Sequence, residues 1–280
     1  IEEVDSLSGP IIGRPKSAAF RTCDLVGIDT LIHVANGVYE NCPNDELRSN
    51  FELPAFINQM NKNKWLGEKT NQGFYKKTKD KNGKRVIESL NLNTMEYAPK
   101  QRAKFKTITV AKQEDNLQKR LKILVKGKDK AGEFYRKSFY STFSYVSHRI
   151  PEITNDLYKI DRALCAGFGW KLGPFQMWDA LDVEETLVKM EEEGYRAADW
   201  VYEMIKLGNP SFYKVENESL NYYNIIAKSQ KTVAEVENFI ILDHKRKKNT
   251  IWSNSVCNLI DIGDGIVNLE WRTKMNAIGG

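Results

Sequence analysis

Few residues in this sequence have the type and spacing to do chemistry. Gly167, Gly169 and Gly173 in GFGWKLG are spaced G-x-G-x-x-x-G, one residue longer than the loop that cradles a dinucleotide. Such a loop presents backbone N–H groups to phosphate between a strand and a helix, yet a helix-period apolar pattern precedes these glycines. The spacing therefore predicts a turn between helices, with Pro174 opening the second. His33, His148 and His244 are the only histidines, and none has a carboxylate placed to orient a general base. Cys23, Cys42, Cys165 and Cys257 form no C-x-x-C pair and no ligand spacing with histidine, so reduced thiols and no metal are expected. Asp24 and Asp179 occupy matched positions, which a repeated cap or turn contact explains as readily as an acid pair does. Glu191, Glu192 and Glu193 read as a solvated helix end. No residue is assigned a catalytic role.

Charge is distributed unevenly. The 280 residues carry a net charge of +5, but Lys62–Arg136 holds 21 Lys or Arg against 8 Asp or Glu. This basic middle has two readings: a surface that steers a polyanion inward, or a solvated hairpin and linker. No regular aromatic interleaving accompanies the lysines, so charge alone supports nucleic acid as a partner. A hydrophobic fraction of 41% suffices for two cores. No apolar run approaches the roughly twenty residues that span a bilayer, and IEEVDSLSG lacks the features of a secretory signal. A cytoplasmic protein without a membrane partner is expected.

The elements that must position these residues are mostly helical. Leu31, Val34, Ala35 and Val38 predict a helix over about 29–39, with Asp29 as its cap. KSAAFRTCDLVG predicts a short helix closed by Gly27, and PAFINQMNKNK another that places Phe56, Ile57 and Met60 together. NQGFYKKTKDKNGKRVIESLNL alternates, with Asn82-Gly83 supplying the positive backbone angles of a tight hairpin. Tyr135, Phe139, Phe143 and Val146 form a buried aromatic seam, which Pro151 interrupts. Ile153, Leu157, Ile160 and Leu164 make the next apolar face. Val183, Leu187 and Met190, then Ala197, Val201, Met204 and Ile205, make two more.

One unit reads as written twice: Asp5 matches Asp161, Phe20 matches Phe175, Asp24 matches Asp179, and GFYK from Gly73 matches SFYK from Ser211. The ordered anchors, including Phe74 and Tyr75 in the first unit and Gly173 and Pro174 in the second, point to duplication of a domain-sized helical unit. The fold class is mainly α, with two tandem helical repeats and short β-hairpins. The divisions are 1–112 for the first repeat with its basic hairpin, 113–215 for the second, and 216–280 for a linker and a hairpin turning at Gly263-Asp264-Gly265.

The stretches LGPFQMWDAL, AFRTCDLVGIDT, NKWLGEKTNQGFYKK and RIPEITNDLYKIDRALCAGFGW resemble the C-terminal domain of the 3-hydroxyacyl-CoA dehydrogenases, in the duplicated form of multifunctional fatty-acid β-oxidation proteins. Two departures stand out: GRPKSAAF replaces Gly-Pro-Phe, and Asn71 stands where the family signature has a glycine. DIGDGIVNLEWRTKMNAIGG resembles the opening hairpin of a crotonase-type enoyl-CoA hydratase, with Lys274, Met275, Asn276 and Ala277 in the Lys-x-Asn-Ala step towards the CoA pocket.

The resemblance implies a fragment of a longer enzyme. The NAD-binding Rossmann domain, with its catalytic His–Glu pair, would lie upstream and a hydratase domain downstream, and this fragment alone would bind no NAD and be inactive. The repeats would enclose acyl-CoA and mediate assembly, including a homodimer. Lys76, Lys77, Lys79 and Lys84, clustered beside the signature, are candidates for drawing in CoA phosphates. The alternative is a free-standing helical binding module that uses its basic middle to hold an acidic partner or nucleic acid.

Overall fold

The structure is a computed structural model that describes residues 1–216, 219–234 and 240–273. Lys274, Met275, Asn276 and Ala277 lie outside the described residues. No helix among those described is long and apolar enough to cross a membrane.

The chain divides into two compact units. Unit 1 comprises Ile1–Ser138 and Leu164–Leu172; unit 2 comprises Phe139–Ala163 and Gly173–Gly280. Division by contact thus differs from division by sequence repeat, because the chain passes from one unit to the other within two helices.

Unit 1 begins with helices α1 (Glu2–Leu7), α2 (Phe20–Val26), α3 (Ile28–Asn41) and α4 (Ala55–Lys62). Gly27, at φ 109°, closes α2 and opens α3, a backbone conformation that side chains with a Cβ rarely adopt. Asp29 is not the cap of α3; it sits in the first turn and pairs with Lys69 at 2.5 Å. Val34 points to solvent, so the buried side of α3 runs through Ile28 and Ala35. Pro54 caps α4, and Ile57 and Met60 are buried, with Phe56 packed alongside.

An antiparallel sheet follows: β1 (Tyr75–Lys79), β2 (Arg85–Leu90) and β3 (Tyr97–Pro99). The hairpin loop is longer than a two-residue turn. Asp80 accepts from the N–H groups of Asn82 and Lys84, both at 2.9 Å, and Gly83 alone takes a positive φ. The core of this half is Ile28, Ile57, Met60, Phe74, Tyr75 and Leu90, with Phe20 edge-on to Phe74 at 4.7 Å.

Helices α5 (Lys106–Ala111), α6 (Leu117–Val125) and α7 (Lys130–His148) come next. Tyr135 is buried in unit 1, where its hydroxyl donates to the Leu7 carbonyl at 2.9 Å. Phe139, Phe143 and Val146, further along the same stripe, are buried in unit 2. The run ends at His148, ahead of Pro151. Ile153 is 68% exposed and lies outside the next apolar face, which begins at Leu157 in α8 (Leu157–Phe168). The end of α8 and the following residues as far as Leu172 belong to unit 1. There Lys171 N–H donates to Gly13 O at 2.9 Å and the Arg14 guanidinium lies 3.8 Å over the Trp170 ring.

In unit 2, α9 (Pro174–Leu181), α10 (Val183–Glu192) and α11 (Asp199–Lys206) surround an aromatic core. Phe143 stacks on Trp178 at 4.9 Å, and Phe212 meets both Phe175 (5.0 Å) and Trp178 (5.1 Å). Beyond lie the sheet β4 (Tyr213–Glu216), β5 (Ser219–Asn224) and β6 (Ser229–Thr232), helix α12 (Leu242–Asn249), and the sheet β7 (Thr250–Ser253), β8 (Cys257–Gly263) and β9 (Ile266–Trp271). The described residues are thus mainly helical, but each expected hairpin carries a third antiparallel strand.

Candidate functional site

The sequence anchors become two hydrogen-bond networks of the same design. In unit 1, Asp5 accepts from the N–H groups of Ala19 (3.1 Å), Phe20 (2.7 Å) and Arg21 (3.2 Å) at the start of α2, and from the Tyr75 hydroxyl at 2.8 Å. Asp24, on α2, accepts from Phe74 N–H (2.7 Å) and Tyr75 N–H (2.9 Å). In unit 2, Asp161 accepts from Phe175 N–H (3.0 Å), Gln176 N–H (3.1 Å) and the Tyr213 hydroxyl (2.8 Å). Asp179 accepts from Phe212 N–H (2.8 Å) and Tyr213 N–H (2.9 Å). In each unit one carboxylate neutralises a helix start and the other fixes the first residues of a strand; a tyrosine ties the two together.

Both networks are built for position. Every carboxylate oxygen of the two networks has an internal donor, so all four carboxylates are engaged in holding helix and strand starts. The same bonds decide the glycine cluster. Gly173 N–H donates to the Gln176 side chain at 3.0 Å, Pro174 has no N–H, and the next two N–H groups go to Asp161. A carboxylate already occupies the place where a phosphate would sit. The sheets of the described residues are antiparallel, whereas a dinucleotide loop follows a strand of a parallel one. These glycines do not fit NAD. Gly167 lies in the last turn of α8, and Gly169 and Gly173 lie in the turn between α8 and α9 that their spacing predicts.

Burial pushes Asp161 and Asp179 each up to about 7, against the opposing pull of their N–H and hydroxyl donors. Unfolded, both would titrate near 3.8. Across that interval the folded state holds protons that the unfolded state releases. The stabilisation is therefore complete below about pH 4 and lost as pH rises through about 7. We expect the melting temperature to fall over this window and the double variant Asp161→Asn/Asp179→Asn to flatten the fall, with either single variant giving part of the effect. Parallel wild-type and variant curves would discard this account.

The departure at Asn71 has a physical reason. Asn71 has φ 57° and ψ 13°, the left-handed conformation that glycine supplies freely and asparagine tolerates better than other side chains. Of the histidines whose side chains are described, His33 is exposed, and exposed His148 places Nδ1 2.9 Å from the Ser144 carbonyl of its own helix. Cys23, Cys42, Cys165 and Cys257 form no disulfide with one another. Among the described residues no group of three or more His, Cys, Asp or Glu could hold a metal.

The four signature-adjacent lysines diverge. Lys76, Lys77 and Lys79 alternate along β1, and Lys84 lies at the end of the hairpin loop. Lys76 lies 5.4 Å from the Tyr97 ring, while Lys79, at the end of β1, and Lys84 are exposed. Lys77 pairs with Glu68 at 2.6 Å, and Glu68 also holds Arg21.

Lys77 does line a cleft of about 440 Å³ in unit 1. Its walls carry Asp5, Asn71 and Tyr75 from the motif, and also Lys16, Lys100, Arg102 and Lys112. Lys100, Arg102 and Lys112 belong to the basic middle, but nothing in their spacing signals a shared cavity, and Lys16 lies outside that segment.

Residues 1–77 match the family model of the 3-hydroxyacyl-CoA dehydrogenase C-terminal domain. The matched span includes the whole Asp5–Asp24–Tyr75 network and ends at Lys77; the Asp161–Asp179 network lies beyond it. The full chain is 40% identical over 280 residues to a probable 3-hydroxyacyl-CoA dehydrogenase of Bacillus subtilis (strain 168), covering 34% of that protein. It is 22% identical over 251 residues to a putative fatty acid oxidation complex trifunctional enzyme of Rickettsia felis, covering 86% of this chain and 32% of the relative. A probable 3-hydroxyacyl-CoA dehydrogenase of Deinococcus radiodurans is 47% identical over 78 residues, 28% of this chain and 22% of the relative. The chain spans about a third of the length of the first two relatives.

Proposed function

We propose that this chain is the substrate-enclosing and assembly region of a 3-hydroxyacyl-CoA dehydrogenase of fatty-acid oxidation. The similarity that runs along all 280 residues to the B. subtilis protein carries the proposal. On this reading the chain holds two copies of one helical unit, 1–112 and 113–215, followed by a segment, 216–280, that leads into a crotonase-type hydratase. The two carboxylate networks support the duplication, and the trifunctional name of the Rickettsia relative supports the hydratase link.

The whole protein would exchange hydride between a 3-hydroxyacyl-CoA and NAD. On this reading the proton-moving groups and the NAD site belong to other parts of that protein. This chain's own contribution is shape: aromatic cores that hold the helices rigid, and walls that exclude water from an acyl chain. Homodimerisation and a cytoplasmic location belong to the same proposal.

The test is turnover by the chain as it stands. Mixed with acetoacetyl-CoA and NADH, it is expected to leave the NADH absorbance unchanged while a full-length relative consumes it. Sustained NADH oxidation by the chain alone would overturn the assignment of its role.

A further inference from the structure

We propose that the unit 1 cleft between the α1–α2 turn and segment 100–112 binds a phosphate-bearing ligand. The inference deepens the proposed function but rests on unit 1 alone. Three carboxylates line the cleft, and each is engaged within the protein. Glu68 is shared by Arg21 and Lys77. Asp5 is filled by three backbone N–H groups and the Tyr75 hydroxyl. Glu2 accepts from the Ser89 hydroxyl at 2.5 Å and from Gln101 N–H at 3.2 Å.

The cations are not balanced in the same way. Lys16, Arg102 and Lys112 make no ion pair with a described carboxylate, and Lys100 rests 4.6 Å from the Tyr75 ring. With Arg21 and Lys77, six positive side chains thus border one concavity against three carboxylates, a net excess of three positive charges. Such an arrangement leaves a positive potential that an incoming anion can neutralise.

The character of the anion follows from the walls. Tyr75, Ile87 and Ala103 contribute apolar surface to the same lining, and the volume of about 440 Å³ falls in the range of small-molecule sites. A second concavity of about 450 Å³ adjoins it, shares Arg102, Ala103 and Lys112, and adds Lys104 and Lys106. Arg102 and Lys112 therefore stand on a common wall, within reach of a group that carries several negative charges. Guanidinium and ammonium donors at one place suit phosphate oxygens, and the apolar part of the lining suits the organic body of a phosphate ester.

The experiment is calorimetric titration of the full chain at low salt with coenzyme A, adenosine 3′,5′-bisphosphate and inorganic pyrophosphate. We expect saturable binding that Lys16→Ala/Arg102→Ala/Lys112→Ala weakens by at least about tenfold, with thermal stability unchanged. Lys79→Ala/Lys84→Ala, at the far end of the hairpin, should change it by less than about twofold. Tighter binding of the two esters would identify the organic body as part of the ligand; equal binding of pyrophosphate would identify phosphate alone. If no phosphate compound binds, if the hairpin variant loses as much affinity as the cleft variant, or if a generic duplex binds tighter than every small phosphate, the proposal falls. NADH oxidation does not enter this readout, so the cleft and the proposed function can fail separately.

Discussion

Replacing Asp24 with alanine should lower stability by about 2–5 kcal/mol, among the largest losses available to a single substitution here. The carboxylate is 1% exposed, and its removal leaves the N–H groups of Phe74 and Tyr75 without an acceptor inside the core. Each buried donor left unpaired costs about 1–3 kcal/mol. Asparagine should not restore the loss, because its amide nitrogen would confront one of the two N–H donors. Asp179→Ala should behave alike through Phe212 and Tyr213. By contrast, Glu133→Ala removes an exposed pair with Lys137 on α7 and should cost under about 0.5 kcal/mol. Urea unfolding of the three variants reads the difference directly. An Asp24→Ala midpoint matching that of Glu133→Ala would mean that the carboxylate does not organise the strand entry.

Gly73→Ala tests the same joint from the other side and should cost about 3 kcal/mol or more. A Cβ on Gly73 would collide with Asp24 Oδ1 and stand 2.7 Å from the Gly67 Cα. Neither neighbour can yield cheaply: the oxygen is held by an N–H group and the other atom is backbone. The Gly73 carbonyl also accepts from the Tyr97 hydroxyl at 2.5 Å, so any shift is felt in the third strand. The matched position in unit 2 is Ser211, whose hydroxyl donates to the Tyr213 carbonyl at 2.9 Å. A side chain therefore fits there, and Ser211→Gly should be mild. A Gly73→Ala protein that melts with wild type would show that the close approach is not a constraint.

What could be read without coordinates follows from the range of each interaction. Helical spacing is local, and it located α3, α4, α7, α10 and α11 to within a few residues. It could not say which apolar side chains turn inward, so Val34 and Ile153 were misplaced. The third strands Tyr97–Pro99 and Thr250–Ser253 are too short to show alternation, and the sheet β4–β6 goes wholly unread because its outer strands, Tyr213–Glu216 and Ser229–Thr232, are short and largely exposed. The matched aspartates were visible as a pattern, but their shared bonds with tyrosine link residues 52 and 70 positions apart. The cleft was harder still. Lys16 and Lys112 come together only through the path of the chain between them, and the lysines that did cluster in sequence alternate across a strand.

The chain enters unit 2 partway along α7, returns to unit 1 partway along α8, and leaves it again at Gly173. A piece ending at residue 112 would strip the Leu7 carbonyl of its phenol donor and the Arg14 guanidinium of its indole. The proposed copies are therefore stitched rather than strung like beads. A cut at residue 112 would thus cost unit 1 two contacts that anchor its own first turns, and we expect a 1–112 piece to be less stable than the whole of unit 1.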